Sequence, residues 1–178
     1  MRRLLIIGCG DVAQRAVPLL RSRYRIIYAL ARSQARVAAL RALGLVPLTG
    51  DLDAPSTLHG LAGIAHDVLH CAPPPVRGSR DTRTAHLIAA LAKAKSLPQH
   101  FVYISTTGVY GDCAGAWIDE TQPLHPQTAR AQRRVDAERR LRDWGRRSGV
   151  RISVLRAPGI YSAERLPLQR LQIGRAHV

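Results

Sequence analysis

Short apolar runs alternate with amphipathic stretches along most of this chain. The runs Arg3–Gly8, Arg25–Ala31, Leu45–Leu48, Asp67–Cys71, His100–Ser105 and Arg151–Arg156 have strand length and few interruptions, as strands buried on both faces do. Between most of them sit helix-like segments near Asp11–Arg23, Ser33–Leu43, Asp81–Lys95 and Thr128–Arg147. Strands alternating with helices predict an α/β fold with a parallel sheet and right-handed crossovers. The open, doubly wound version has strand order 3-2-1-4-5-6. Ser33 is placed to cap the second helix and Gly44 to follow its end. Pro73-Pro74-Pro75 stiffens the loop after the fourth strand, on the side where such sheets present ligands. No internal repeat or disordered linker interrupts the pattern.

The first strand feeds Gly8-Cys9-Gly10-Asp11-Val12-Ala13 and then a helix. Strand, Gly-x-Gly-x-x-Ala turn, helix and second strand within roughly thirty residues form the context a dinucleotide-binding fingerprint requires. Gly8 permits the sharp turn, Gly10 lets backbone approach a pyrophosphate, and Ala13 is small enough for close helix–strand packing. Asp11 and Val12 open the helix, whose N–H groups and partial positive charge suit phosphate. The pattern predicts a Rossmann-type nucleotide-binding domain.

At 178 residues, one domain can bury about 70 % of its unfolded surface. No apolar stretch nears the roughly 20 residues of a membrane span. Leu4–Ile7 is shorter than the about 7–15 residues of a signal-peptide core, so a soluble, cytoplasmic protein is expected. The net charge of +15 raises nucleic acid as a partner. Its arginines are dispersed, however, with no basic tail and no aromatic-interleaved patch for stacking bases. An alanine-, leucine- and arginine-rich composition is also what a GC-rich genome favours. Nucleic acid is therefore set aside, and a small-molecule substrate is expected. Cys9, Cys71 and Cys113 lack paired spacing, so neither a disulfide framework nor a metal site is expected. Two readings of Cys9 are open: a small residue filling the turn, or a thiol acidified by the helix N-terminus.

The end of the second strand bears on the choice of nicotinamide cofactor. A carboxylate about 20 residues past the glycine turn binds the ribose hydroxyls of NAD and repels a 2′-phosphate. Here the strand ends Ala31-Arg32-Ser33 with no acid. Arg32 offers a planar fork suited to phosphate and Ser33 a hydroxyl, which predicts NADP in preference to NAD. The competing reading of Arg32 is a solvated arginine. Asp51 is a candidate for the adenine side, with helix capping the alternative for it and for Asp53.

The segment Ser105-Thr106-Thr107-Gly108-Val109-Tyr110-Gly111 closely resembles the fifth strand of extended short-chain dehydrogenases/reductases, the NAD-dependent epimerase/dehydratase family. Asp119-Glu120-Thr121-Gln122-Pro123 and Leu155-Arg156-Ala157-Pro158-Gly159-Ile160-Tyr161 echo it further, and Asp51-Leu52 matches its adenine-contacting acid. The resemblance implies cofactor contacts that also include Ala72 and Pro158. It implies a substrate-orienting Ser/Thr, matched by Thr106, and a Tyr-x-x-x-Lys acid/base pair. Anchored on Glu138, that pair falls on Arg130 and Arg134, and no tyrosine lies between Tyr110 and Tyr161. The glycine turn departs too, from the Gly-x-x-Gly-x-x-Gly of most extended members. The chain is most similar to an atypical branch that keeps nucleotide binding and loses the Tyr.

Arginine stays protonated near neutral pH and cannot replace a tyrosine acid/base. Arg134 remains a candidate to supply positive charge in place of the lysine, and Tyr110 a candidate acid/base or an aromatic packed over the cofactor loop. The alternative for the helix is a solvated face with pairs Arg134–Glu138, Asp136–Arg140 and Asp143–Arg147, over an apolar stripe of Ala131, Val135, Leu141 and Trp144. The expected function is an NAD(P)-dependent oxidoreductase or epimerase-like enzyme. The alternative is a non-catalytic NAD(P)-binding sensor or scaffold module. Residues 1–172 are expected to form the binding domain with the substrate subdomain missing or incomplete. Ile173–Val178 reads as what a common sequencing adapter encodes, a non-native tail outside any packed element.

Overall fold

The computed structural model describes residues 2–162 and Leu166. The expected tail at residues 173–178 lies outside the described residues. Among the described residues six strands form one sheet: β1 (Arg3–Ile7), β2 (Ile26–Ala31), β3 (Val46–Thr49), β4 (Asp67–His70), β5 (His100–Thr106) and β6 (Arg151–Ala157). Their order is β3-β2-β1-β4-β5-β6 and all pairs are parallel. This is the doubly wound Rossmann arrangement that the alternating pattern predicts.

Four α-helices cross over between strands: α1 (Asp11–Leu20), α2 (Gln34–Ala42), α3 (Thr82–Leu91) and α4 (Ala129–Ser148). Alternation of side chains along each strand splits the core into two layers. Leu5 and Ile7 of β1, Val68 of β4 and Phe101 and Tyr103 of β5 pack with Leu87 and Leu91 of α3 and Leu141 and Trp144 of α4. On the opposite face Leu4, Ile6, Ile27 and Ala29 meet Ala13 and Val17 of α1 and Val37 and Leu40 of α2. Among the described residues that second layer stops short of β6, where Leu155 is 52 % exposed.

Helix ends follow the expected chemistry with shorter spans. The Ser33 hydroxyl caps α2 by accepting from the Arg36 N–H, and Gly44 follows that helix at φ +65°. α1 ends at Leu20 and α3 at Leu91, each a few residues before the apolar pattern fades. The helix that Asp51 or Asp53 could have capped is a 3₁₀ turn at Pro55–Leu61. Its N-cap is Ala54, with no side-chain cap, so neither Asp51 nor Asp53 has the capping role. No described helix is long and apolar enough to cross a membrane.

Candidate functional site

Ligands of open parallel sheets bind beyond the carboxyl ends of the strands, where strand order reverses. Here that point lies between β1 and β4. The chain turns at Gly8 with φ +82°, and a Cβ there would lie 2.4 Å from the Ala72 nitrogen. Only glycine lets the two strand exits touch. At Gly10 nothing lies within 4 Å of where a Cβ would stand, so the turn leaves an open cradle.

The cradle sits at the N-terminus of α1. Side chains of Ser33, Asp81 and Thr128 cap α2, α3 and α4 by accepting backbone N–H bonds. α1 begins at Gly10 with no side-chain cap. Its first backbone bond runs from the Gln14 N–H to the Gly10 carbonyl at 2.9 Å, so N–H groups of the first turn face outward with the positive end of the helix dipole. Ala13, fully buried, lets α1 approach the sheet. These features fit a dinucleotide pyrophosphate.

A trough runs from this turn along the carboxyl edge of the sheet. Toward β2 it opens into a cavity of about 680 Å³ lined by Gly10, Arg32, Ser33, Arg36 and Asp51. A smaller space of about 120 Å³ adjoins Leu52, Ala72 and Arg83. On the other side, a cavity of about 490 Å³ is bordered by Asp11, Val12, Ala13 and Arg130. One of about 560 Å³ lies at the ends of β5 and β6, against Thr106, Gly108, Arg134 and Pro158. Gly8, Cys71 and Pro73 are shared among them and join the series. The structure thus brings the expected cofactor residues together along one path.

Arg36 is a residue the sequence reading did not single out. Its guanidinium donates to the Cys9 carbonyl, linking α2 to the glycine turn, and it borders the same cavity as Arg32 and Ser33. β2 ends without a carboxylate, and the nearest acids lie past β3. Asp53 is committed to Arg83 at 2.6 Å, whose hydrogen bond holds the Asp53 carboxyl below its ordinary range. The Asp51 carboxylate accepts the Asp53 N–H at 3.0 Å and still borders the trough. Burial, opposed by Arg36, raises the Cys9 thiol, and burial pushes Cys71 up to about 11. Cys9 is therefore a small buried residue filling the turn, and the acidified-thiol reading is corrected.

Thr106 faces the cavity at the end of β5. Its Oγ1 accepts the Gly108 N–H at 3.2 Å, which leaves its own O–H to donate. Tyr110 is not brought there. It is packed with Val109 and Val135, its hydroxyl receives a 2.7 Å bond from Arg156, and it borders a separate cavity of about 460 Å³. Arg134 lines the Thr106 cavity but is 6 % exposed. Its NH1 donates to the Tyr103 hydroxyl at 2.8 Å and the Ile104 carbonyl at 2.9 Å.

Two expected ion pairs on α4 are corrected. Arg134 does not meet Glu138, because it turns inward to β5. The fully buried Glu138 instead accepts from Ser105 Oγ at 2.6 Å and Arg156 NH2 at 2.9 Å, and meets Arg142 at 3.3 Å. Asp143 pairs with Arg146 rather than Arg147, while Asp136–Arg140 forms at 2.7 Å. Ala131, Val135, Leu141 and Trp144 are all buried, as the apolar stripe predicts. Among the described residues no cluster of His, Cys, Asp and Glu could hold a metal.

The sheet order, the uncapped helix behind a glycine turn and the trough at the switch point define a Rossmann-type dinucleotide-binding domain. Residues 8–175 match the NAD(P)H-binding family, and the chain belongs to that family. It is similar to a Methylobacillus flagellatus protein assigned to the NAD-dependent epimerases/dehydratases, at 25 % identity and TM-score 0.74, covering 98 % of this chain and 60 % of that one. A conserved Silicibacter pomeroyi protein of unknown function is similar at 30 % identity and TM-score 0.69, with 94 % and 57 % covered. UDP-glucuronic acid 4-epimerase from Bacillus cereus, solved with NAD, shares the fold at 19 % identity and TM-score 0.69, with 89 % and 57 % covered. The chain therefore spans less than two thirds of these relatives' length. A search of the curated proteins finds no match.

Proposed function

We propose that this chain is the cofactor-binding part of an NADP-dependent oxidoreductase or epimerase-like enzyme of the short-chain dehydrogenase superfamily. The observation that carries the cofactor choice is the convergence of Arg32, Ser33 and Arg36 on one cavity, at a strand end that lacks an acid. The Gly8–Gly10 turn and the start of α1 would take the pyrophosphate, Asp51 the adenine side, and the two arginines with Ser33 the 2′-phosphate. When bound, the nicotinamide supplies hydride transfer. Thr106, with its proton free to donate, would orient a substrate carbonyl or hydroxyl in the neighbouring cavity. Arg32→Asp should weaken NADPH binding at least about tenfold, the loss of one charge-assisted phosphate contact, and spare NADH. Unchanged NADPH affinity in that variant would remove the assignment.

A second reading has a specific observation behind it. Arg130 and Arg134 stand where the resembled family carries its Tyr and Lys, and Arg134 is already bound to the Tyr103 hydroxyl and the Ile104 carbonyl. A non-catalytic module that senses or scaffolds through NADP fits that loss. Screening NADPH oxidation against aldehydes, ketones and nucleotide sugars separates the two readings, since turnover with any of them requires the enzyme.

A further inference from the structure

The cavity at the ends of β5 and β6 has an unusual charge balance. Among the described residues, Arg130 and Arg134 are the charged side chains on its wall, with the hydroxyls of Ser105, Thr106, Thr107 and Thr128. No carboxylate of the described residues borders it. Arg130 is exposed in the first turn of α4, where the helix dipole is positive. It makes no hydrogen bond or ion pair among the described residues, whereas Arg140, Arg142, Arg146 and Arg156 on or near the same helix pair with acids. Arg134 adds a second, buried charge. Its Nε is buried with no partner among the described residues, and its NH1 is spent on Tyr103 and Ile104.

The buried Asp81 lies within electrostatic reach of Arg134, but Arg130 has no counter-ion among the described residues, and an oxyanion in the cavity would supply one. We propose that this cavity takes the oxyanion of an acidic substrate, a carboxylate or phosphate, on the Arg130 guanidinium beside the N-terminus of α4, with Arg134 adding charge from the buried side. Thr106 would then face the reacting end of the same molecule. The two arginines convert a proton-transfer position into an anion-recognition position: a guanidinium cannot give up its proton, but its planar fork grips an oxyanion with two parallel bonds. The inference rests on the cofactor reading only for the location of the nicotinamide. Arg130 also borders the cavity beside the glycine turn, so the cofactor's own pyrophosphate is the other source of such an anion.

Calorimetry with pyruvate and inorganic phosphate as probes, each with and without saturating NADP⁺, tests the proposal, and methyl pyruvate serves as the uncharged counterpart. NADPH binding is followed separately by its fluorescence. Wild-type protein should bind pyruvate or phosphate, with methyl pyruvate at least about tenfold weaker than pyruvate. Arg130→Gln should lose that affinity, Arg130→Lys should recover part of it, and NADPH affinity should stay within about threefold in both. Absence of both anions from wild-type protein overturns the proposal, as does methyl pyruvate matching pyruvate. A tenfold loss of NADPH affinity in Arg130→Gln with anion binding intact also overturns it and gives Arg130 to the pyrophosphate. Anion binding without any NADPH binding would support this site while removing the cofactor reading.

Discussion

The two glycines of the turn should respond to the same substitution in opposite ways. In Gly8→Ala the new methyl would stand 2.4 Å from the Ala72 nitrogen and 2.5 Å from its Cα, on backbone held at φ +82°. The left-handed conformation costs about 1–2 kcal/mol for alanine, and forcing β1 and β4 apart adds about 1–3 kcal/mol. Together these amount to about 2–5 kcal/mol, a fall in Tm of about 4–20 °C for a chain this size. In Gly10→Ala the methyl meets nothing within 4 Å, and φ is −82°, so stability should stay within about 0.5 kcal/mol. That methyl would instead fill the cradle at the helix end and weaken NADPH binding at least about tenfold. Urea unfolding and fluorescence titration of NADPH on both variants read the two effects separately. A Gly10→Ala protein that binds NADPH as tightly as wild type would refute the placement of the pyrophosphate, and a Gly8→Ala protein of wild-type stability would refute the account of the turn.

Glu138→Ala should destabilise the fold by about 3–5 kcal/mol in urea, because it strands the guanidinium of Arg156, 11 % exposed, and the hydroxyl of Ser105; a loss under about 1 kcal/mol would contradict the network. His70 is fully buried, and burial, with the charge of Arg134 second, pushes its pKa down to about 3. The unfolded chain therefore takes up the proton first, near the ordinary pKa of about 6.5. Stability from this group is complete above that value and falls toward pH 3, by up to about 1.4 kcal/mol per pH unit. His70→Leu should flatten that part of the curve; parallel curves for the two proteins would exclude His70 as its source. If the protein turns over a substrate, Thr106→Val should slow it about 10²-fold while leaving NADPH affinity within about threefold, and equal turnover would exclude a substrate-orienting role.

The sheet was legible because β1 to β6 are apolar runs separated by helices, and parallel topology leaves few ways to connect them. The turn was legible for a local reason, since Gly8, Gly10 and Ala13 act through backbone reach and small size. Side-chain direction was less so. Arg36 is one of many arginines, and what distinguishes it is a contact to the Cys9 carbonyl across a crossover, which no spacing encodes. Tyr110 and Arg134 were placed by analogy near the chemistry. Tyr110 is instead drawn to Arg156 on β6, and Arg134 to Tyr103 beneath the trough, by partners distant in sequence. Glu138 had several arginines at helical spacing, of which Arg142 reaches it, but its complete burial also brings in Arg156 of β6 and Ser105 of β5, which helical spacing does not point to. The Pro55–Leu61 turn carried no periodic signal.

The central claim is that this domain binds a nicotinamide dinucleotide through the Gly8–Gly10 turn and favours the phosphorylated form through Arg32, Ser33 and Arg36. Titrating NADPH and NADH into the wild-type protein under identical conditions tests it most directly. Binding of both, with NADPH tighter by at least about tenfold, is the predicted result; equal affinity for the two would contradict it.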